Sequence, residues 1–148
     1  MYVRIGLLVL LGLFSIPAFA DDCGGKLIDI RNIHVNGPGT KKIGELQLYY
    51  NASTGKNCAK TVHSAATWNK RLRTGVGLGI CNTRKDRVCN HPNYPGSKRG
   101  KYTFDVGWYY FEAGPVRLAA KGKCIRAAGY IIYKGKTRHA RTIYGHCG

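Results

Sequence analysis

Cys81 and Cys89 stand eight residues apart, flanking the polar stretch Asn82-Thr83-Arg84-Lys85-Asp86-Arg87-Val88. Two strand-borne thiols at that spacing reach bridging distance across a loop, and the chemistry they offer is a disulfide. The chain has six cysteines in all, the others being Cys23, Cys58, Cys124 and Cys147. No Cys-x-x-Cys occurs, and the Cys and His spacings do not form a zinc pattern, so no metal is expected. An even number of thiols in an exported small chain reads as a disulfide framework. With Cys81–Cys89 taken as one bridge, the other four allow three connectivities. The preferred set is Cys23–Cys147, closing the termini, and Cys58–Cys124, tying two strands across the core.

Acid–base chemistry has less to work with. A secreted ribonuclease needs a general base, a general acid and cations around the phosphorane. His34, His63, His91, His139, His146, Glu45 and Glu112 are the candidates, but no spacing marks a pair. His63 ends an alternating run and reads as a surface or internally satisfied histidine. There is no Gly-x-Ser-x-Gly, and Ser53, Ser64 and Ser97 lack an evident partner. Asp105 and Glu112, seven apart, would fall on opposite faces of a strand, which argues against a glycosidase pair. The sequence therefore assigns no catalytic residue and no cofactor.

Cations dominate. Lys and Arg number 24 against seven Asp and Glu, a formal net charge of +17. An excess of that size attracts polyanions such as nucleic acid or acidic polysaccharide, though it also simply confers solubility. The basic side chains cluster at Lys70-Arg71-Arg73, Arg84-Lys85-Arg87, Lys98-Arg99-Lys101, Lys121-Lys123-Arg126 and Lys134-Lys136-Arg138-Arg141. Tyr94, Tyr102, Trp108, Tyr109, Tyr110, Tyr130, Tyr133 and Tyr144 interleave with them. Aromatic faces stack on bases or sugar rings while cations hold phosphate or uronate. All of this requires the clusters to share one face.

The elements that must position these groups are strands. Turn signals recur every eight to twelve residues among 20 glycines, the mark of an all-β sandwich or barrel. Ile43–Tyr50 alternates most clearly, with Leu46, Leu48 and Tyr50 on one side and Glu45, Gln47 and Tyr49 on the other. Cys58–Ser64 alternates after a turn-rich 51–57, completing a hairpin. Lys26–Ile33, Lys101–Val106, Trp108–Phe111, Val116–Ala120, Ile125–Tyr133 and Thr137–Tyr144 are further strands. Ala65–Lys70 has room for one helical turn. In Arg71–Ile80 the glycines at 75, 77 and 79 leave one face bare, which implies close backbone approach or a bulge. Asn90–Gly100 reads as an exposed loop. Asn51-Ala52-Ser53 matches a glycosylation sequon, relevant only in a eukaryotic secretory pathway.

Residues 1–20 read as a cleavable leader: Arg4, an apolar run Ile5–Phe14, then Ala18-Phe19-Ala20. The apolar run is about ten residues, against the ~20 a spanning helix needs, so no membrane insertion is expected. Residues 21–148 are long enough for one domain with a true core.

Two stretches carry a resemblance. Tyr50-Asn51-Ala52-Ser53-Thr54-Gly55-Lys56-Asn57-Cys58, followed by a strand, is similar to a segment of the spore-associated protein A family of streptomycetes. Phe111-Glu112-Ala113-Gly114-Pro115-Val116 and the strand, glycine and cysteine after it resemble that family's Ala-Gly-Pro-Val segment. The ends, Cys23-Gly24 and Gly145-His146-Cys147-Gly148, fit as well. The resemblance implies a small secreted protein of the cell or spore surface, without established enzymatic activity and without catalytic residues to carry over. The Cys81–Cys89 segment, the basic stretch 90–101 and the heavy positive charge depart from the family pattern.

The expectation is thus an all-β fold, a compact antiparallel sandwich or barrel stabilised by disulfides. It is secreted, extracellular or cell-envelope-associated, and non-enzymatic. Its expected partner is an anionic polymer, envelope polysaccharide or nucleic acid, bound through Lys70, Arg71, Arg73, Arg84, Lys85, Arg87, Lys98, Arg99, Lys101, Lys134, Lys136, Arg138 and Arg141. Two alternatives stand beside it: a secreted hydrolase or toxin acting on nucleic acid or cell wall, and an inhibitor presenting the constrained Cys81–Cys89 loop.

Overall fold

A period-two pattern buries every second side chain of a strand, and the clearest alternating run does so: Leu46 and Leu48 are 0 % exposed. The computed structural model describes residues 23–81, 88–93, 96–142 and 146–147. These form nine strands: β1 (Lys26–His34), β2 (Lys42–Asn51), β3 (Lys56–His63), β4 (Leu72–Ile80), β5 (Tyr102–Tyr109), β6 (Glu112–Ala119), β7 (Cys124–Tyr133), β8 (Lys136–Arg141) and β9 (His146–Cys147). The first sheet has the order β1-β2-β3-β6. The second has the order β5-β4-β7-β8, with β9 also paired to β7. Every pairing is antiparallel.

The two sheets stack as a sandwich and do not close into a barrel. Leu46, Leu48, Ala59, Val116 and Leu118 of the first sheet meet Val76, Leu78, Ile80, Ile125, Ala127 and Ile131 of the second in one buried cluster. Buried polar groups inside it are satisfied, as they must be. The Thr61 hydroxyl donates across the gap to the Gly75 carbonyl at 3.0 Å. Close contact of the sheets is possible there because Gly129 lacks a side chain: a Cβ on it would lie 2.2 Å from Thr61 Oγ1.

Several expectations change. Residues 101–106 and 108–111 form one strand, β5, which runs straight through Gly107, and Tyr110 and Phe111 fall in the turn after it. The stretch 65–70 holds one isolated turn, its Trp68 N–H donating to Ser64 O four residues back, and no longer helix. β6 begins at Glu112, four residues before Val116; Pro115 fits within it because β6 is the edge strand of its sheet and its ladder with β3 is irregular between Ala59 and Thr61. β1 buries little before Ile33; its Asp29 turns inward at the sandwich edge and Ile30 outward.

The chain carries three disulfides, the form an oxidising compartment favours. Cys81–Cys89 is bridged as expected. The other pairs are Cys23–Cys58 and Cys124–Cys147, not Cys23–Cys147 and Cys58–Cys124. Strand parity is the reason. Ala59 pairs with Leu48 on the core face, so Cys58, paired with Tyr49, points outward and cannot meet Cys124 through the core. Cys23, entering β1 beside β2, joins Cys58 and Tyr49 in a separate buried cluster. Cys147 lies opposite Cys124 in the β7–β9 ladder. Residues 1–20, the expected leader, lie outside the described residues.

Candidate polyanion-binding groove

The three glycines of β4 build the floor of the site. Thr74, Val76, Leu78 and Ile80 point into the core, so Gly75, Gly77 and Gly79 face outward. Residues paired across an antiparallel ladder share a face. On one side Gly75 pairs with Val106, Gly77 with Phe104 and Arg73 with Trp108. On the other, Gly75 pairs with Tyr130, Gly77 with Ala128 and Gly79 with Arg126. One strand further out, β8 adds His139 opposite Tyr130 and Arg141 opposite Ala128. The result is a trough whose base is open at Gly77, with Gly75 and Gly79 covered on either side of it. Phe104, Val106 and Trp108 wall one side at 52, 40 and 58 % exposure. Arg126, Tyr130, His139 and Arg141 wall the other.

The bare floor serves two close approaches. A Cβ on Gly75 would lie 2.3 Å from the Tyr130 ring, which leans over it. A Cβ on Gly79 would lie 1.9 Å from the Asn90 carbonyl oxygen, so the backbone after Cys89 rests directly on β4. The Cys81–Cys89 bridge brings that segment down. Asn90 then fastens it, its backbone N–H and its side-chain Nδ2 both donating to Ile80 O at 3.0 and 2.6 Å. His91, Pro92 and Asn93 close this end of the trough. Two cavities of about 310 and 500 Å³ occupy it, and they share Gly77, His91 and Arg141.

Its electrostatics are one-sided. The acids among the described residues are held elsewhere. Asp29 bonds Arg31 and His146. Glu45 pairs with Lys42 and Glu112 with Lys60. Asp105 accepts from the Tyr109 hydroxyl and the Gly114 N–H. Among the described residues no carboxylate lines the trough, and the buried Nε of Arg126 has no hydrogen-bond partner. Partial burial and the nearby Arg141 guanidinium push the His91 imidazole below its ordinary pKa.

The cations singled out from sequence separate. Arg73 and Arg141 line the trough, and the Arg71 guanidinium lies 5.8 Å from the centre of the Trp108 ring beside it. Lys70 turns away and donates to the Ala66 carbonyl. Arg138 sits on the opposite side of β8 and donates to Asn36 Oδ1. Lys134 stacks over Tyr133 in the β7–β8 turn, next to Lys136 at the start of β8. Lys98, Arg99 and Lys101 belong to the segment tied to the capping loop by Lys98 N–H donating to Asn90 Oδ1. Arg84, Lys85 and Arg87 lie outside the described residues, as does most of the loop expected to present an inhibitor.

Phe104, Val106 and the presence of His91 and His139 in one cavity are not evident in the sequence; the β5 alternation 102-104-106-108 was the available signal for the first two. The other histidines serve the fold. Burial lowers the His63 pKa, and a neutral ring satisfies both its contacts: Nδ1–H donates to Thr67 O at 3.2 Å, and Nε2 accepts from the Thr74 hydroxyl at 2.8 Å. His34 contacts the Thr40 carbonyl. No family model, no curated protein and no solved structure matches the chain.

Proposed function

We propose that the protein binds an anionic polymer at the outer face of the second sheet, seating an extended strand of it in the glycine-floored trough, and that it does so outside the cell or at the cell envelope. One observation carries this reading. Arg73, Arg126 and Arg141, which meet no carboxylate among the described residues, and exposed Phe104 and Trp108 flank a channel whose floor is open at Gly77. The opening over Gly77 admits one flat unit of the polymer, the rings stack on its sugars or bases, and the guanidinium forks hold its phosphates or carboxylates. The three disulfides and the leader-like residues 1–20 support an exported protein, and the resemblance to secreted spore-surface proteins agrees with that compartment.

The test is a salt titration of binding to an immobilised acidic polysaccharide and to single-stranded RNA. The logarithm of affinity should fall linearly with that of salt, and neutral dextran should not bind. Retention of neutral and acidic polymer alike would overturn the reading.

A second reading has its own observation: His91 and His139 line the same cavity as Arg73 and Arg141. Two imidazoles beside two guanidiniums suit transesterification of RNA. One imidazole takes the 2′-hydroxyl proton as that oxygen attacks phosphorus. The other protonates the departing 5′ oxygen, leaving a 2′,3′-cyclic phosphate. RNA recovered intact after incubation, or cleavage unaffected by His91→Ala and His139→Ala, ends this reading and leaves binding alone.

A further inference from the structure

Three aromatic side chains crowd one end of the sandwich, away from the trough's capped end. The β3–β4 connection contributes Trp68, and the β5–β6 turn contributes Tyr110 and Phe111. Their exposures are 53, 48 and 44 %. The rings pack on one another instead of on the core, Trp68 and Phe111 with centroids 4.8 Å apart and Tyr110 and Phe111 6.3 Å apart. The backbone beneath is firmly held. Asn69 N–H donates to Tyr110 O at 3.1 Å, His63 N–H to Phe111 O at 2.7 Å, and Trp68 N–H to Ser64 O at 2.8 Å. Thr67 beneath them is fully buried, its hydroxyl donating to the Ile43 carbonyl.

A cluster of large exposed rings on a fixed mount marks an interaction surface. Cations ring it: Lys70, Arg71 and Arg73 are exposed, and Arg71 links the cluster to Trp108. The carboxylates nearest this end, Glu112 and Glu45, are held by Lys60 and Lys42. A second copy of the chain is a poor occupant, because it would bring two such cationic collars together on molecules of charge +17.

We infer that the Trp68–Tyr110–Phe111 tip docks into the headgroup interface of an anionic lipid bilayer. Trp and Tyr favour that depth, where the ring is sheltered and its polar end stays wet. Phe111 supplies apolar area, and the Lys70, Arg71 and Arg73 collar meets the negative surface. The chain lies on the bilayer rather than across it; among the described residues no helix is long and apolar enough to cross a membrane. The tip adjoins the open end of the trough, with Arg73 between them, while Arg126 and Arg141 lie toward the capped end.

The experiment uses the disulfide-intact chain with Trp108→Phe, which leaves Trp68 as the one indole of the two in the sequence. Vesicles of phosphatidylcholine alone and vesicles containing phosphatidylserine are titrated in. Trp68 emission should shift to the blue and be quenched by lipids brominated on the acyl chain, with the serine-containing vesicles only. Trp68→Ala with Phe111→Ala should weaken co-sedimentation with those vesicles at least tenfold. Arg126→Glu with Arg141→Glu, in the trough, should leave it unchanged. The quenching measurement needs no change at Tyr110 or Phe111, so it stands even if the double variant folds poorly. Unquenched Trp68, or co-sedimentation lost with the trough variant and kept with the tip variant, overturns the inference.

Discussion

The outer faces of the two sheets treat charge in opposite ways. On the first sheet the polar side chains answer one another. Lys42 Nζ bonds Glu45, Gln47 donates to Glu45, and the Tyr49 hydroxyl donates to Gln47 Oε1. Lys60 reaches Glu112 and lies over the Tyr49 ring. On the second sheet, Arg73, Arg126 and Arg141 face outward without a carboxylate among the described residues to meet them, and rings and glycines take the places where acids would sit. A net charge of +17 is therefore not an even coat. Among the described residues, Glu45 and Glu112 lie on the first sheet's outer face, Asp29 and Asp105 turn inward, and the outer face of the second sheet carries cations without acids.

The largest test reverses charge on each face in turn. Arg126→Glu with Arg141→Glu should lower affinity for single-stranded RNA or acidic polysaccharide by about a hundredfold, and flatten its salt dependence by about one unit of slope per lost contact. Lys42→Glu with Lys60→Glu should change it less than about threefold, since those cations already have partners. Fluorescence anisotropy at fixed salt reads both. Equal losses would mean that only total charge matters, and the contrast between faces would collapse.

The floor and the wall come next. A Cβ on Gly77 would meet nothing closer than 3.5 Å, so the β-carbon of Gly77→Val enters the channel without a clash. Binding should fall about tenfold with the melting temperature nearly unchanged. Trp108→Ala should cost a similar amount, about 1–3 kcal/mol per stacked ring. Gly79→Ala behaves differently. Its Cβ would strike the Asn90 carbonyl, so it should lower stability by about 1–3 kcal/mol through displacement of the capping segment. Calorimetry separates the two glycine effects.

Acid should loosen the fold. His63 is held neutral, with a folded pKa below its unfolded value, so its contribution is full above about 6.5 and is lost as pH falls through the folded value. His63→Gln should flatten the stability profile in that window. Asp29 acts at lower pH. Burial opposes its charge, but hydrogen bonds from His146 and Arg31 outweigh that and hold its pKa below 3.8, so its contribution fades as pH drops beneath that value. In alkali, the Asp105 carboxylate that accepts the Tyr109 proton, with burial, pushes that phenol up to about 12; spectrophotometric titration should find one tyrosine ionising late, and Asp105→Asn should bring it back. The smallest effect expected is from Glu112→Gln on the first sheet, about 0.2–1 kcal/mol in thermal unfolding.

Much of the fold was legible because period-two burial is a local signal. Leu46 and Leu48 announced β2, and the glycines of β4 announced a bare face. The site was half legible. Arg71, Arg73 and Arg141 stood out as cations, yet Arg138, three residues before Arg141, shared its cluster and faces the other way. Alternation that separates the two was already present, but its phase relative to the core was not. The same phase misassigned the disulfides, since Cys58 looks free to cross the core until Ala59 is seen to occupy the inward position.

The order of residues by itself determined that this chain forms strands, carries sulfur for cross-linking and holds far more cations than acids, because each of these is a property of single residues or near neighbours. Tertiary structure alone decided which cations share a surface, which thiols meet, and that Gly75, Gly77 and Gly79 lie between an aromatic wall and an arginine wall. Those facts depend on register between strands distant in sequence. A shift of one residue there turns every side chain of a strand to the opposite face.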